Sequence, residues 1–177
     1  MGLCYTRGMR APAIPVMLIA ASALALSAQQ PAGSVDVPDG ARVVLTAKGD
    51  GVQIYACADS PGGLKWVLKG PDAKLLDADG KVIGTHFAGP TWKLNDGGEV
   101  QGELMANKPS PEAGSVPWLL LRAKAGTASG SLAAVAYIRR TETHGGVAPS
   151  PGCQSPTDAG KTMPVPYTAT YTFYAGK

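Results

Sequence analysis

Apolar and polar residues alternate with a period of two over most of the chain, in short runs. Residues 165–174 (VPYTATYTFY) show it most plainly. Tyr167, Ala169, Tyr171 and Phe173 fall on one face and three threonines on the other. In residues 52–57 (VQIYAC), Val52, Ile54 and Ala56 share one face and Gln53, Tyr55 and Cys57 the other. Residues 118–123 (WLLLRA) and 131–140 are apolar on both faces, which predicts central strands. Residues 42–47, 65–69, 91–94 and 99–106 supply further strands, and no stretch carries a helical period.

Turn residues punctuate these runs. Gly49-Asp50-Gly51 predicts a hairpin between residues 42–47 and 52–57. Asp79-Gly80, between Leu75-Leu76 and Val82-Ile83, predicts a second, and Asn95-Asp96-Gly97-Gly98 a third. The chain has 23 glycines and 15 prolines in 177 residues, placed between the strands. Short strands with such punctuation predict an all-β fold, an antiparallel β-sandwich or closed β-barrel in a single domain over residues 37–177.

The first 28 residues read differently. Arg7 and Arg10 precede an uncharged apolar run, followed by small residues at Ala25, Ser27 and Ala28. That is the pattern of a secretory signal peptide, cut after Ala28, with Ala25 or Ser27 as alternative sites and Met9 as an alternative start. The run of about 16 residues, with Pro12 and Pro15 inside it, is short for a membrane span. No transmembrane segment is expected in the mature chain, and the protein is expected to be secreted or periplasmic. Residues 29–36 form a flexible, proline-containing lead-in. Without Arg7 and Arg10, the 16 basic residues become 14 against 13 acidic, a net of +1. That balance, with no basic cluster, argues against a nucleic-acid partner.

Two cysteines remain beyond the leader, Cys57 and Cys153. In an exported chain they are expected to form one disulfide. Metal sites built on cysteine usually use C-x-x-C pairs, which are missing here.

The richest stretch for chemistry is residues 137–153, YIRRTETHGGVAPSPGC. Arg139 and Arg140 point to opposite faces of a regular strand, so one heads for the interior or a cleft. There it would meet either an internal carboxylate, such as Asp96 or Asp77, or an acidic ligand. The two histidines, His86 and His144, would need a carboxylate such as Asp96 or Glu142 to build a metal site. The plain alternative is that each imidazole bonds backbone in a loop. No metal and no cofactor are expected. Asp77-Ala78-Asp79-Gly80 lacks the further ligands of a calcium loop, and there is neither a G-x-S-x-G nor a dinucleotide fingerprint. Of Trp66, Trp92 and Trp118, Trp92 is the expected exposed one, suited to stacking on a sugar.

Five blocks in order carry a wider resemblance. GVQIYAC (51–57), GTHFAGPTW (84–92) with Asp96-Gly97, PWLLL (117–121), YIRRTETHGGVAP (137–149) with Cys153, and VPYTATYTFY (165–174) resemble the DUF3455 family over about residues 37 to 174. These are exported bacterial and fungal proteins whose function is not established. The resemblance implies one domain containing both cysteines and both histidines, and it brings no catalytic residues with it. Some fungal members carry a malate dehydrogenase label, but this sequence has no nucleotide-binding fingerprint to support one.

Two functional classes follow. One is a non-catalytic binding or structural module for a polysaccharide or small polar ligand, held near His86, Trp92, Asp96, Arg139, Arg140 and His144. The other is a secreted hydrolase or lyase acting on a carbohydrate or acidic small molecule. The latter requires a cleft with a histidine in reach of a carboxylate.

Overall fold

The computed structural model describes residues 1–2 and 33–177. The expected leader beyond Gly2, with its cleavage sites, lies outside the described residues. Eight antiparallel strands form one closed barrel, each paired with its sequence neighbour. They are β1 (Arg42–Ser60), β2 (Gly63–Leu76), β3 (Val82–Phe87), β4 (Thr91–Leu94), β5 (Glu99–Lys108), β6 (Trp118–Ala123), β7 (Val135–Gly145) and β8 (Thr162–Ala175). Strand β8 closes the ring on β1, from Arg42 opposite Ala175 to Ala56 opposite Thr162. Of the two expected architectures, the barrel is the one formed.

Period-two alternation dictates which side chains fill it. Tyr167, Ala169, Tyr171 and Phe173 of β8 all point inward and are buried, while the threonines between them face out. Leu75, Trp92, Val100, Leu121 and Ile138 complete the interior. An eight-stranded barrel is just wide enough to be filled by side chains. The outer positions carry Lys48, Asp50, Lys74, Lys93 and Arg122, all exposed. Charges outside and apolar groups inside are the reverse of a lipid-facing barrel.

The first predicted hairpin does not exist. Residues 42–60 form one strand of 19 residues straight through Gly49-Asp50-Gly51. These glycines serve close approach instead of a turn. A Cβ on Gly49 would lie 2.5 Å from the Tyr171 ring, and one on Gly51 would lie 2.2 Å from the Asp72 carbonyl oxygen. The expected strand 131–140 is also displaced. Residues Gly130–Leu132 form a 3-10 turn, and β7 begins at Val135 and continues through His144. The turns at Asp79-Gly80 and at residues 95–98 do join β2 to β3 and β4 to β5.

In an up-and-down barrel, successive turns alternate between the two ends. One end therefore collects the β3–β4 turn and the long connections 109–117 and 146–161. The disulfide Cys57–Cys153 sits at this end, with its Cα atoms 5.4 Å apart. Beside it, Cys57 N–H donates to the Lys161 carbonyl (2.8 Å) and Gly160 N–H to the Cys57 carbonyl (2.9 Å). The indole of Trp66 donates to the Pro151 carbonyl at 3.0 Å. The long loop is thus fixed against β1, and the barrel mouth at this end has a defined rim.

Candidate functional site

The β3–β4 hairpin places His86 directly opposite Trp92, both pointing inward. Their rings stack at 4.4 Å between centroids, 5° from parallel. Tyr171 meets both edge-on, at 4.9 and 5.4 Å. Trp92, expected to be exposed, is instead 1% exposed. It is covered by His86 of the neighbouring β3 and by Tyr171 and Phe173 of β8, a strand far from it in sequence. No sugar can stack on it.

His86 is buried, and its Nδ1 lies 2.8 Å from the Thr91 carbonyl oxygen. A carbonyl only accepts, so Nδ1 carries the proton and Nε2 presents a lone pair. Burial pushes the imidazole pKa down to about 3. The Thr91 hydrogen bond works against that shift, and the charge of Arg140 adds to it. His86 is therefore neutral, with a fixed tautomer.

Arg140 of β7 points to the same interior. Its Nε and Nη2 both donate to the Pro117 carbonyl, at 3.1 and 2.8 Å. The internal carboxylate expected for it is missing, since among the described residues no Asp or Glu pairs with it. Its charge opposes the upward shift that burial imposes on Tyr55, Tyr167 and Tyr171. Arg140 and His86 line one cavity of about 300 Å³ at the mouth, with Gln53, Leu68, Pro71 and Leu119. A cation with free N–H groups, a lone-pair acceptor and an apolar wall can together hold a small molecule bearing both an acid group and a donor.

The remaining predicted residues lie elsewhere. Arg139 faces outward, as alternation requires, with Nη2 3.7 Å from Asp36. His144 would share Arg140's face in a regular strand, but a bulge intervenes. The β7–β8 register shifts between Thr141 and His144, and Glu142 takes φ 48°. The shift turns Thr143 inward and His144 outward. There the imidazole Nδ1 pairs with Glu112, and its side chain is 61% exposed. The two histidines thus occupy opposite faces of the wall and share no site. Among the described residues no three of His, Cys, Asp and Glu gather as a metal site. Asp96 belongs to the opposite end. Its Oδ1 accepts from Gly98 N–H at 2.9 Å and the Ser131 hydroxyl at 3.1 Å, which hold its pKa below the usual carboxylate range. Asp77 does similar work, accepting the N–H groups of Asp79 and Lys81 at 3.0 and 2.9 Å.

The sequence profile described as "Protein of unknown function (DUF3455)" matches residues 38–175, which is the entire barrel from β1 to β8. The chain belongs to the DUF3455 family. No curated protein and no solved structure matches it.

The quoted DUF3455 blocks can now be placed on the barrel. GTHFAGPTW is the β3–β4 hairpin that stacks His86 on Trp92, and PWLLL carries the Pro117 carbonyl that fixes Arg140. YIRRTETHGG is the bulged strand that separates Arg140 from His144. Gln53, 2% exposed and in the mouth, was not among the expected site residues. Its signal was present, because it shares a face with Tyr55 and with Cys57 of the disulfide.

Proposed function

We propose that this DUF3455 protein is an exported, non-catalytic binding module of the cell envelope whose barrel mouth takes a small polar ligand bearing a carboxylate. The observation that carries this reading is Arg140, a guanidinium with no acidic partner among the described residues, lining the same cavity as the neutral His86. The ligand acid group takes the free N–H groups of Arg140, and a ligand hydroxyl donates to His86 Nε2. A volume of about 300 Å³ suits one sugar acid or small organic acid better than a polysaccharide segment. The leader pattern and the disulfide support export, since such bridges persist in oxidising compartments.

Isothermal titration with a panel of small hydroxy acids and uronic acids tests the reading. At least one should bind, and Arg140→Gln should weaken it roughly tenfold to a hundredfold, the loss of one or two hydrogen bonds to a charged group. Wild-type protein that binds none of them overturns it.

A second reading, a secreted hydrolase or lyase for a carbohydrate or acidic small molecule, draws on a separate observation. Glu112 orients the exposed His144, which lines a cavity of about 260 Å³ with Glu142. A general base needs such a partner. If this reading holds, His144→Ala abolishes turnover while leaving the melting temperature nearly unchanged. A substrate screen in which wild type and His144→Ala release product equally removes it.

A further inference from the structure

Arg139, beside Arg140 in sequence, serves the outside of the same wall. There it stands opposite Leu120 in β6, and Trp118 at the start of β6 stands opposite Lys108 in β5. The described part of the lead-in, residues 33–36, lies over this patch and buries Val35. Beside it is a cavity of about 460 Å³ lined by Ser34, Asp36, Lys108, Pro109, Trp118 and Arg139.

Two N–H donors of this cavity's residues, Trp118 Nε1 and Arg139 Nε, are buried with no hydrogen-bond partner among the described residues. Lys108 forms no ion pair among the described residues. The one acid among the described residues lining it is Asp36, 80% exposed and 3.7 Å from Arg139 Nη2, which is an ion-pair contact too long for a hydrogen bond. Folded proteins rarely bury unpaired donors, and two beside one cavity point to outside acceptors that reach them when the lead-in over the patch is displaced. Arginine takes an oxyanion through parallel N–H groups, and Lys108 adds charge. An indole N–H suits a hydroxyl or ring oxygen, and its ring offers an apolar face.

We propose that this outer-wall cavity binds an acidic saccharide unit, with Asp36 of the lead-in occupying the place of the ligand's carboxylate until it is displaced. The site is separate from the barrel mouth and stands on different observations.

The test is the set of indole N–H resonances of the three tryptophans in ¹⁵N-labelled protein, with Trp118 assigned by Trp118→Phe. On titration with D-galacturonate, the Trp118 resonance should shift saturably. Trp92, stacked behind His86, reports the mouth independently. Asp36→Asn should tighten the Trp118 response severalfold, and Arg139→Gln should abolish it. A Trp118 signal that does not move overturns the proposal, as does one that moves equally in Arg139→Gln. An equal response to D-galactose or inorganic phosphate overturns the assignment to an acidic saccharide. If Arg139→Gln does not fold, Asp36→Asn decides, and an unchanged or weaker response contradicts the proposal.

Discussion

The His86 imidazole lies flat against the Trp92 indole, 4.4 Å between centroids, while its Nδ1–H is held by the Thr91 carbonyl. These contacts fix the ring's plane and its tautomer, and the burial around them keeps it neutral. It also has a consequence for stability against pH. The unfolded chain binds a proton at His86 near the ordinary pKa of 6.5, and the folded chain only near 3. Between those values the unfolded state holds more protons, so stability falls as the pH falls. The loss approaches about 1.4 kcal/mol per pH unit from this residue. Urea denaturation of wild type and His86→Phe between pH 7 and 4 checks this. The wild-type slope should be steeper by about that amount, and equal slopes would show that His86 titrates normally when folded.

The Cys57–Cys153 bridge closes a loop of sequence separation 96. The chain-entropy account gives such a loop about 4–5 kcal/mol, with measured values usually lower. The double variant Cys57→Ala with Cys153→Ala should lose on the order of 2–5 kcal/mol. Thermal unfolding with and without reductant should show the same loss in wild type and none in the variant.

Gly49→Ala should destabilise the barrel by about 1–3 kcal/mol through overpacking, since its Cβ would stand 2.5 Å from the Tyr171 ring. The near-ultraviolet circular dichroism of the tyrosine and tryptophan cluster should change with it. A neutral substitution would mean that Tyr171 has another place to go.

Thr143 is buried, and its hydroxyl donates to the Val116 carbonyl at 2.6 Å, just beyond the bulge. Thr143→Val leaves that carbonyl without its partner and should cost about 1–3 kcal/mol. Thermal unfolding measures the loss, and a variant as stable as wild type would mean that water reaches the Val116 carbonyl.

Much of this barrel was legible in the chain. The inward face of β8 followed from strict alternation, two hairpins from their turn residues, and the disulfide from there being two cysteines after the expected leader. The misreadings have physical causes. Glycine signals a turn and a close backbone approach with the same letter, so Gly49 and Gly51 suggested a hairpin where β1 makes room for Tyr171 and β2. The bulge at Glu142 sets two residues against one across a strand pair, a count that one strand alone does not carry. It put Arg140 and His144 on opposite faces. Trp92 lies between Gly-Pro and an Asn-Asp-Gly-Gly turn, which suggested exposure, but Tyr171 and Phe173 arrive from the far end of the sequence to bury it. In β1 the inward set is Gln53, Tyr55 and Cys57, with Val52, Ile54 and Ala56 only half-buried outside. Ring closure chose the more polar face, and that choice creates the mouth.

The most direct test of the barrel-mouth site is a long-range ¹H–¹⁵N spectrum of His86, recorded before and after adding the tightest acid from the titration panel. The free protein should show a neutral ring protonated at Nδ1, and the ligand should move the Nε2 resonance. The same addition to Arg140→Gln should leave it in place. A ring protonated at Nε2, or an Nε2 resonance unmoved while the acid is bound, would contradict a ligand site built on His86 and Arg140.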